Sequence, residues 1–490
     1  MSGPNGGPLA ILVMPRIGYM DSLRSLPGLP LSLLQAASIA ATRHDLALLD
    51  LRRVRDWRRA LQAQVGPRTR WVALTAFTGR MIASALQVAG FAKEQLGLQV
   101  VLGGVHATLE PASTLRDPHV DAVIAGEGEV PFAALLDAAA EGRPVPGDVP
   151  GLWTMRDGEV RGPDYALLED LDDLPDLPYR LVDVADYLPL YDGRRSFYYQ
   201  SSRGCPRACR YCYNRRFNRG RWRARSAARV ASDLQDARQR FGFEDVYLLD
   251  DSFLVDLERA RAISGWFEGQ SLTWQLQGVE VHDVLRLPED DLRRMVRSGL
   301  RRVTLGVESG SPRVRRLLGK PGTPDEVRDA IARLRPHDIR VYCSFMAALP
   351  GETEEDLRAT IALHGELPRL NPNVRTSPIY NYCPYPGTAL FDAAVQAGFT
   401  PPATLRDWAG VSWEDGVMAA ASGRPRSFWQ SLYFASLFRD RKATEYSSSR
   451  LVKAAASLYR PLARWRLDHL EFRGMPEARV ARWLERRLTR

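Results

Sequence analysis

The chain has 490 residues, of which 45% are hydrophobic and 26% charged, and its net charge is +9. That length suits about three domains, and the composition is that of an ordinary globular protein. No apolar run reaches the ~20 residues of a membrane helix, the amino terminus lacks a secretory n-region and cleavage site, and five cysteines are too few for a disulfide scaffold. A cytoplasmic location is therefore expected.

Residues 8 to about 145 alternate short apolar runs with helical patterns. The runs Leu9–Met14, Leu46–Leu51, Trp71–Ala76, Val100–Gly104 and Ala122–Gly126 read as strands, with helical periodicity between them at Ser32–Thr42 and Met81–Leu96. This β-α order predicts an open, doubly wound, Rossmann-like parallel sheet over residues 1–145, whose ligands lie at the carboxyl ends of the strands. Turn residues stand at those ends: Thr78-Gly79, Gly103-Gly104 and Gly126-Glu127-Gly128. Residues 146–195, rich in Pro, Asp and Leu, read as an extended linker. A second β-α series follows at Phe197–Ser201, Asp245–Leu249, Thr273–Gln277, Arg302–Val307, Arg340–Met346 and Val374–Tyr380. Six such units over 196–395 fit a partial (β/α)6 barrel, with reactive residues at the carboxyl ends of its strands. Residues 396–490 read as a helical, basic domain. From Arg439 onward 14 basic residues stand against 6 acidic ones. That excess could meet a nucleic acid, an anionic lipid or an acidic substrate, or could simply solvate a helical face.

Cys205, Cys209 and Cys212 form a C-x3-C-x2-C cluster in Ser202-Arg203-Gly204-Cys205-Pro206-Arg207-Ala208-Cys209-Arg210-Tyr211-Cys212, directly after a strand. Thiolates suit zinc or iron–sulfur clusters. Structural zinc wants four ligands, and no fourth Cys or His lies nearby. Three ligands leave one position of a [4Fe–4S] cluster open to bind a reactant. Cys343 and Cys383 read as small buried hydrophobes. Gln275 and Gln277 alternate on one strand and would point into the barrel together. The run Arg215–Arg223 interleaves arginines with aromatics, which would suit nucleic acid or a loop beside an anionic reactant.

With these motifs in order, the chain resembles the radical S-adenosylmethionine (SAM) superfamily over most of residues 195–395. The resemblance makes Cys205, Cys209 and Cys212 the cluster ligands and sets Tyr211 beside them. It implies SAM contacts at Asp250, Asp251 and Ser252 after the second barrel strand, at Glu308 after the fourth, and at Pro350 and Gly351 after the fifth; Pro384–Thr388 is similar to an end-of-barrel signature. Ahead of the barrel, Gly103-Gly104-Val105-His106-Ala107-Thr108 and Ala125-Gly126-Glu127-Gly128-Glu129 resemble a cobalamin-binding domain, and Leu26–Leu34 is similar to the entry of its first helix. The expected cobalamin contacts are Phe77, Thr78, Gly103, Gly104, His106, Gly126, Glu127 and Gly128. The Asp-x-His-x-x-Gly motif that supplies a cobalt-ligating histidine is absent, and Arg16-Ile17-Gly18-Tyr19 stands there instead. The loop at Phe77–Gly79 is the candidate for cobalt's lower face, with His106 orienting that loop or touching the corrin edge; a cofactor-free Rossmann-like domain is the alternative.

By this resemblance the expected enzyme is a cobalamin-dependent radical SAM C-methyltransferase. It would use a 5′-deoxyadenosyl radical and methylcobalamin on an unactivated carbon. Cyclisation, rearrangement or oxidative chemistry without methyl transfer is the alternative. A methylthiotransferase would carry three further cysteines before Cys205, and none occurs. The expected partners are a small-molecule, lipid or peptide substrate and an external flavodoxin- or ferredoxin-type electron donor, with nucleic acid disfavoured. The basic carboxyl-terminal helices, with Trp465 and Trp483, could touch a membrane surface peripherally or cap the barrel.

Overall fold

The computed structural model describes residues 6–17, 26–420, 422–440, 450–475 and 477; Gly18, Tyr19 and Trp483 lie outside them. Its first sheet has the order β2-β1-β3-β4-β5-β6-β7. Five strands run parallel: β1 (Ala10–Met14), β2 (Leu46–Asp50), β3 (Trp71–Thr75), β4 (Gln99–Gly103) and β5 (Ala122–Ile124). β1 and β3 are buried at every position, as parallel strands covered on both faces must be. The order reverses between β1 and β3, which opens a crevice at their carboxyl ends.

The segment expected to be an extended linker differs in part. Leu152–Arg156 (β6) and Glu159–Arg161 (β7) form a hairpin that pairs antiparallel with β5 and lengthens the first sheet. Its turn residues Asp157 and Gly158 both have positive φ, the geometry of a two-residue hairpin loop. The chain then crosses to the second sheet.

That sheet has the order β16-β15-β14-β13-β12-β9-β8. Six strands, β9 (Arg194–Tyr199), β12 (Asp245–Leu248), β13 (Thr273–Glu280), β14 (Leu300–Glu308), β15 (Arg340–Ala347) and β16 (Val374–Asn381), run parallel as an open barrel, and β8 (Leu190–Tyr191) pairs antiparallel at its edge. Between β9 and β12 a short hairpin, β10 (Ser202–Arg203) with β11 (Arg223–Ala224), brackets the cysteine loop. Register shifts interrupt β13, β14 and β15 near their carboxyl ends, at Gly278 and Glu308 among others, and both of these residues have positive φ. Such bulges bend a strand and re-aim the side chains that follow.

The carboxyl-terminal region spans both domains. The short helix Leu405–Trp408 packs on the helix Arg80–Leu96 of the first domain, and the helix Arg426–Ser436 packs on β16. Arg80 pairs with Glu414 at 3.1 Å. Among the described residues, no helix is long and apolar enough to cross a membrane.

Candidate active site

The cysteine loop is held at three points. Gly204 N–H donates to Asp251 Oδ2 (3.0 Å), Arg210 N–H to the Leu318 carbonyl (2.9 Å), and Leu390 N–H to the Arg210 carbonyl (2.9 Å). Gly204 sits at φ +88°, and a Cβ there would collide with the Arg221 carbonyl, so the loop needs glycine. All three thiols are free of disulfides. Burial raises each of them, Cys209 to about 11 and Cys212 to about 12. Such thiols ionise when a cationic metal group takes their protons' place. Among the described residues no three His, Cys, Asp or Glu side chains converge on a single ion position.

Beyond the cysteines, the strand ends carry charge. Asp250 is fully buried and accepts from Ser201 N–H (2.7 Å), Ser201 Oγ (2.5 Å) and Ser202 Oγ (2.7 Å), which makes it a strut behind the loop and not a free ligand. Asp251 faces the cavity described below. Ser252 Oγ is buried without a hydrogen-bond partner, while its carbonyl accepts from Trp222 Nε1 (2.9 Å). Glu308 accepts from Ser344 Oγ (3.1 Å) and bonds the Tyr211 hydroxyl. Lys320 lies between two carboxylates: its Nζ donates to both oxygens of Glu280 at 2.7 Å and stands 3.6 Å from Glu308. Burial opposes the charge on Lys320, but the two carboxylates outweigh it and raise its pKa. Sequence reading missed Glu280 and Lys320, although Lys320 is one of only four lysines among 67 basic side chains. Pro350 is buried in its turn, whereas Gly351 is exposed and its carbonyl accepts from Arg313 (2.7 Å). The structure thus gathers Tyr211, Asp251 and Glu308 near the cysteines and leaves Gly351 on the surface.

On the first domain's side, a cavity of about 410 Å³ opens between the two sheets. Gly103, Gly104, Gly126 and Gly128 line it from one side, and Tyr213 and Gln277 from the other. It runs back along the first sheet as an apolar slot between Leu12, Leu33, Ala73, Val101, Ile124 and Phe132. Gln275, by contrast, donates to Asp245 near the amino-terminal end of the barrel strands.

His106 meets the Phe77–Gly79 loop through Thr78, behind the cavity. His106 is fully buried, its Nδ1 lies 3.0 Å from Thr78 Oγ1, and its ring packs against Trp408 at 5.4 Å. Burial lowers its pKa to about 4, which keeps the ring neutral. It joins the first domain to the carboxyl-terminal region and does not line the cavity. Phe77 makes edge contacts with Tyr213 (5.2 Å), Tyr385 (5.6 Å) and Trp413 (6.5 Å), so four separate chain segments meet there. Glu127 reaches the cavity wall, but both of its oxygens are engaged. Arg203 Nη1 donates to Oε1, and Arg223 Nη1 (2.8 Å) and Leu168 N–H (2.7 Å) donate to Oε2. Burial would raise Glu127, but the two arginines overcome it and hold the carboxylate below its ordinary range. Within the basic run after the cysteines, Arg219 and Arg221 are likewise paired within the chain, with Asp164 and Glu169.

Residues 199–364 match the Radical SAM superfamily, and residues 27–136 match the B12 binding domain. An uncharacterized methyltransferase of Pyrococcus horikoshii is 33% identical over 329 residues, covering 66% of this chain and 69% of the relative. The chain belongs to the cobalamin-binding radical SAM enzymes. An anaerobic magnesium-protoporphyrin IX monomethyl ester cyclase of Synechocystis is 29% identical over 51% of this chain and 50% of its own length. Among solved structures, the radical SAM methyltransferase TsrM of Kitasatospora setae, determined with tryptophan and a SAM analogue, has the same fold. Its TM-score is 0.68 at 16% identity, over 96% of this chain and 99% of that one.

The cofactors of this cobalamin-binding radical SAM enzyme are a [4Fe–4S] cluster, SAM and cobalamin. The residues present fit them. Three disulfide-free thiols on one loop are the donor set of a cluster with one open iron. The Lys320 ammonium flanked by Glu280 and Glu308 suits a zwitterion such as the amino acid end of SAM, and the unpartnered Ser252 hydroxyl adds a buried polar contact. The apolar slot along the first sheet fits the planar base that hangs from cobalamin, and the glycine-bordered opening fits its broad ring.

Proposed function

We propose that this enzyme transfers a methyl group to an unactivated carbon of a small-molecule, lipid or peptide substrate. One observation carries the reading: a single cavity is walled on one side by the cobalamin-domain turns and on the other by Arg203, Tyr213 and Asn214, which flank the cysteine segment, and by the barrel strand ends at Leu249, Asp251 and Gln277. A substrate held there would meet both cofactors at once. When bound, the cofactors supply one-electron cleavage of SAM and a cobalt-carried methyl group. The chain's own part is placement. Cys205, Cys209 and Cys212 hold the cluster. Lys320, Glu280 and Glu308 orient the charged end of SAM, with Tyr211 fixing Glu308 from behind. Gly103, Gly104, Gly126 and Gly128 let backbone approach the corrin. Tyr213 and Gln277 border the substrate, and the aromatic contact of Phe77, Tyr213, Tyr385 and Trp413 excludes water from one flank.

The experiment is a product ratio from anaerobic, fully loaded enzyme given reductant, SAM and a cell extract. Radical methylation consumes one SAM as methyl donor and one as radical source, so S-adenosylhomocysteine and 5′-deoxyadenosine should accumulate equally. The cyclase relative favours a second reading, ring formation without methyl transfer, which would give deoxyadenosine alone. S-adenosylhomocysteine alone would point to methyl transfer without hydrogen abstraction and would refute the unactivated-carbon assignment.

The same proposal requires an external flavodoxin- or ferredoxin-type donor to reduce the cluster. It also includes a peripheral membrane contact. On the helix Arg450–His469, Leu458 (83% exposed), Leu462 (42%) and Trp465 (47%) follow one another at helical spacing on a single face. An exposed apolar stripe in a carboxyl-terminal region with 14 basic against 6 acidic residues from Arg439 onward suits an anionic bilayer. Co-sedimentation with anionic vesicles, lost in Leu458→Ser/Trp465→Ser, is the expected result; equal pelleting of both proteins would remove the contact.

A further inference from the structure

The cofactors come to the cavity from separate domains, so something must set how far apart and at what tilt the two halves are held. The groups that join the halves at the cavity wall are few and buried. Arg203 precedes the first cysteine by two residues and spans the gap with both arms of its guanidinium: Nη1 to Glu127 Oε1 at 2.8 Å and Nη2 to Glu129 Oε1 at 2.5 Å. The two glutamates sit on the turn after β5, at the start of the helix Glu129–Ala140, and their side chains are 4% and 2% exposed. On the other side of the bracketing hairpin, Arg223 pairs with Arg203 in register and donates to Glu127 Oε2 at 2.8 Å, with its own side chain 4% exposed. Arg223 is anchored in turn on the Leu168 carbonyl (2.6 Å) and Asn218 Oδ1 (2.8 Å). The next residue after Arg203, Gly204, is bound to Asp251 on the barrel. One rigid chain of contacts therefore runs from the cobalamin-domain turn through Arg203 to the cluster loop and on to the strand end of β12.

A planar fork that satisfies two carboxylates fixes both distance and angle, which a lysine ammonium on a flexible stem does not. Neither glutamate is left with a free role: both oxygens of Glu127 are saturated, and Glu129 is turned to the same guanidinium. A buried ionic network of this kind contributes little net stability compared with apolar packing, and its recognised use is to specify one arrangement. We propose that Arg203, gripped by Glu127 and Glu129, is the positioning residue that fixes the spacing and tilt between the cobalamin half and the cluster half of the site.

The test uses the fully loaded enzyme and needs no substrate. Cobalamin reduced to its cobalt(II) form is paramagnetic, and its spin relaxes faster when a reduced, paramagnetic cluster lies nearby, by an amount that falls steeply with separation. The measurement is the microwave power that half-saturates the cobalt(II) signal, with the cluster reduced and then oxidised. In the wild type, cluster reduction should raise that power. In Arg203→Lys, and in Glu127→Gln/Glu129→Gln, iron and cobalt contents and the circular dichroism should be unchanged while the increase falls several-fold. Arg229→Gln, which breaks the peripheral pairs to Asp176 and Asp233, should retain the full increase. Should Arg203→Lys fail to load, the glutamine pair carries the test. An unchanged increase in the loaded variants would overturn the proposal. So would an equal loss in Arg229→Gln, or a wild type whose cobalt signal ignores the cluster.

Discussion

In the first domain, the turns that border the cavity are shaped by close packing. A Cβ on Gly104 would stand 2.6 Å from Thr75 Oγ1, and one on Gly128 would stand 2.8 Å from Ala36 Cβ. On the barrel side, the strand ends are shaped by charge: Lys320 stands between Glu280 and Glu308, and Asp251, which lines the cavity, is tied to Gly204. One side presents backbone and apolar surface, which would suit a large, weakly charged macrocycle. The other presents ionised groups, which would suit a small zwitterion. The contrast teaches that a parallel sheet's carboxyl edge is a location for ligands, and that the turn chemistry decides which ligand.

The largest effect that would break this division is loss of one cofactor with retention of the other. Cys205→Ala/Cys209→Ala/Cys212→Ala should lose all its iron and keep its cobalamin, measured as metal per chain after anaerobic reconstitution; joint loss would mean the walls are not independent. Next comes the charged wall alone. Lys320→Met leaves buried Glu308 beside half-buried Glu280 without a cation between them, so barrel stability in denaturant should fall by about 3 kcal/mol. SAM binding by equilibrium dialysis should weaken at least about tenfold, with cobalamin uptake unaffected.

His106 sharpens the comparison on the other side. Its folded pKa of about 4 lies below the ordinary 6.5, so the unfolded chain takes up the proton first as pH falls. Stability is therefore complete above about pH 6.5 and declines between there and pH 4, by about 3 kcal/mol in all. His106→Phe should flatten that part of a urea-unfolding profile, and an unchanged slope would assign it to other groups. The smallest effect separates two adjacent glycines. Gly104→Ala, at φ +95° and against Thr75 and Ala76, should cost about 1–3 kcal/mol in thermal unfolding. Gly103→Ala meets nothing nearer than 3.6 Å and should leave stability nearly unchanged while weakening cobalamin retention, because its methyl enters the cavity.

Much of the fold was legible because parallel strands buried on both faces read as short continuous apolar runs. Ala10–Met14 and Trp71–Thr75 lie within one residue of the predicted segments, and Asp245–Leu248 likewise. The β6–β7 hairpin was missed although its Asp157-Gly158 turn is a strong local signal; the surrounding Pro and Asp suggested a linker and hid it. The cysteine loop is legible because its ligands are adjacent in sequence. Glu127 was not, since the arginines that engage it lie 76 and 96 residues away. The contact of His106 with the Thr78 loop was legible, but its packing on Trp408 was not, because that partner lies 302 residues further along the chain.

The segment between the sheets also bears on what the protein meets before its cofactors arrive. From one edge of the first sheet, where β7 is only three residues long and carries Glu159 and Arg161, the chain runs to the opposite edge. There the turn Tyr179–Leu181 lies against β2, Arg180 donates to the Ala41 carbonyl (2.8 Å), and Asp186 pairs with Arg53 (2.8 Å). Short charged edges and covered edges deny a foreign strand the ladder it needs to add on. A chain still waiting for iron and cobalamin is thereby guarded against sticking to its own kind through this sheet.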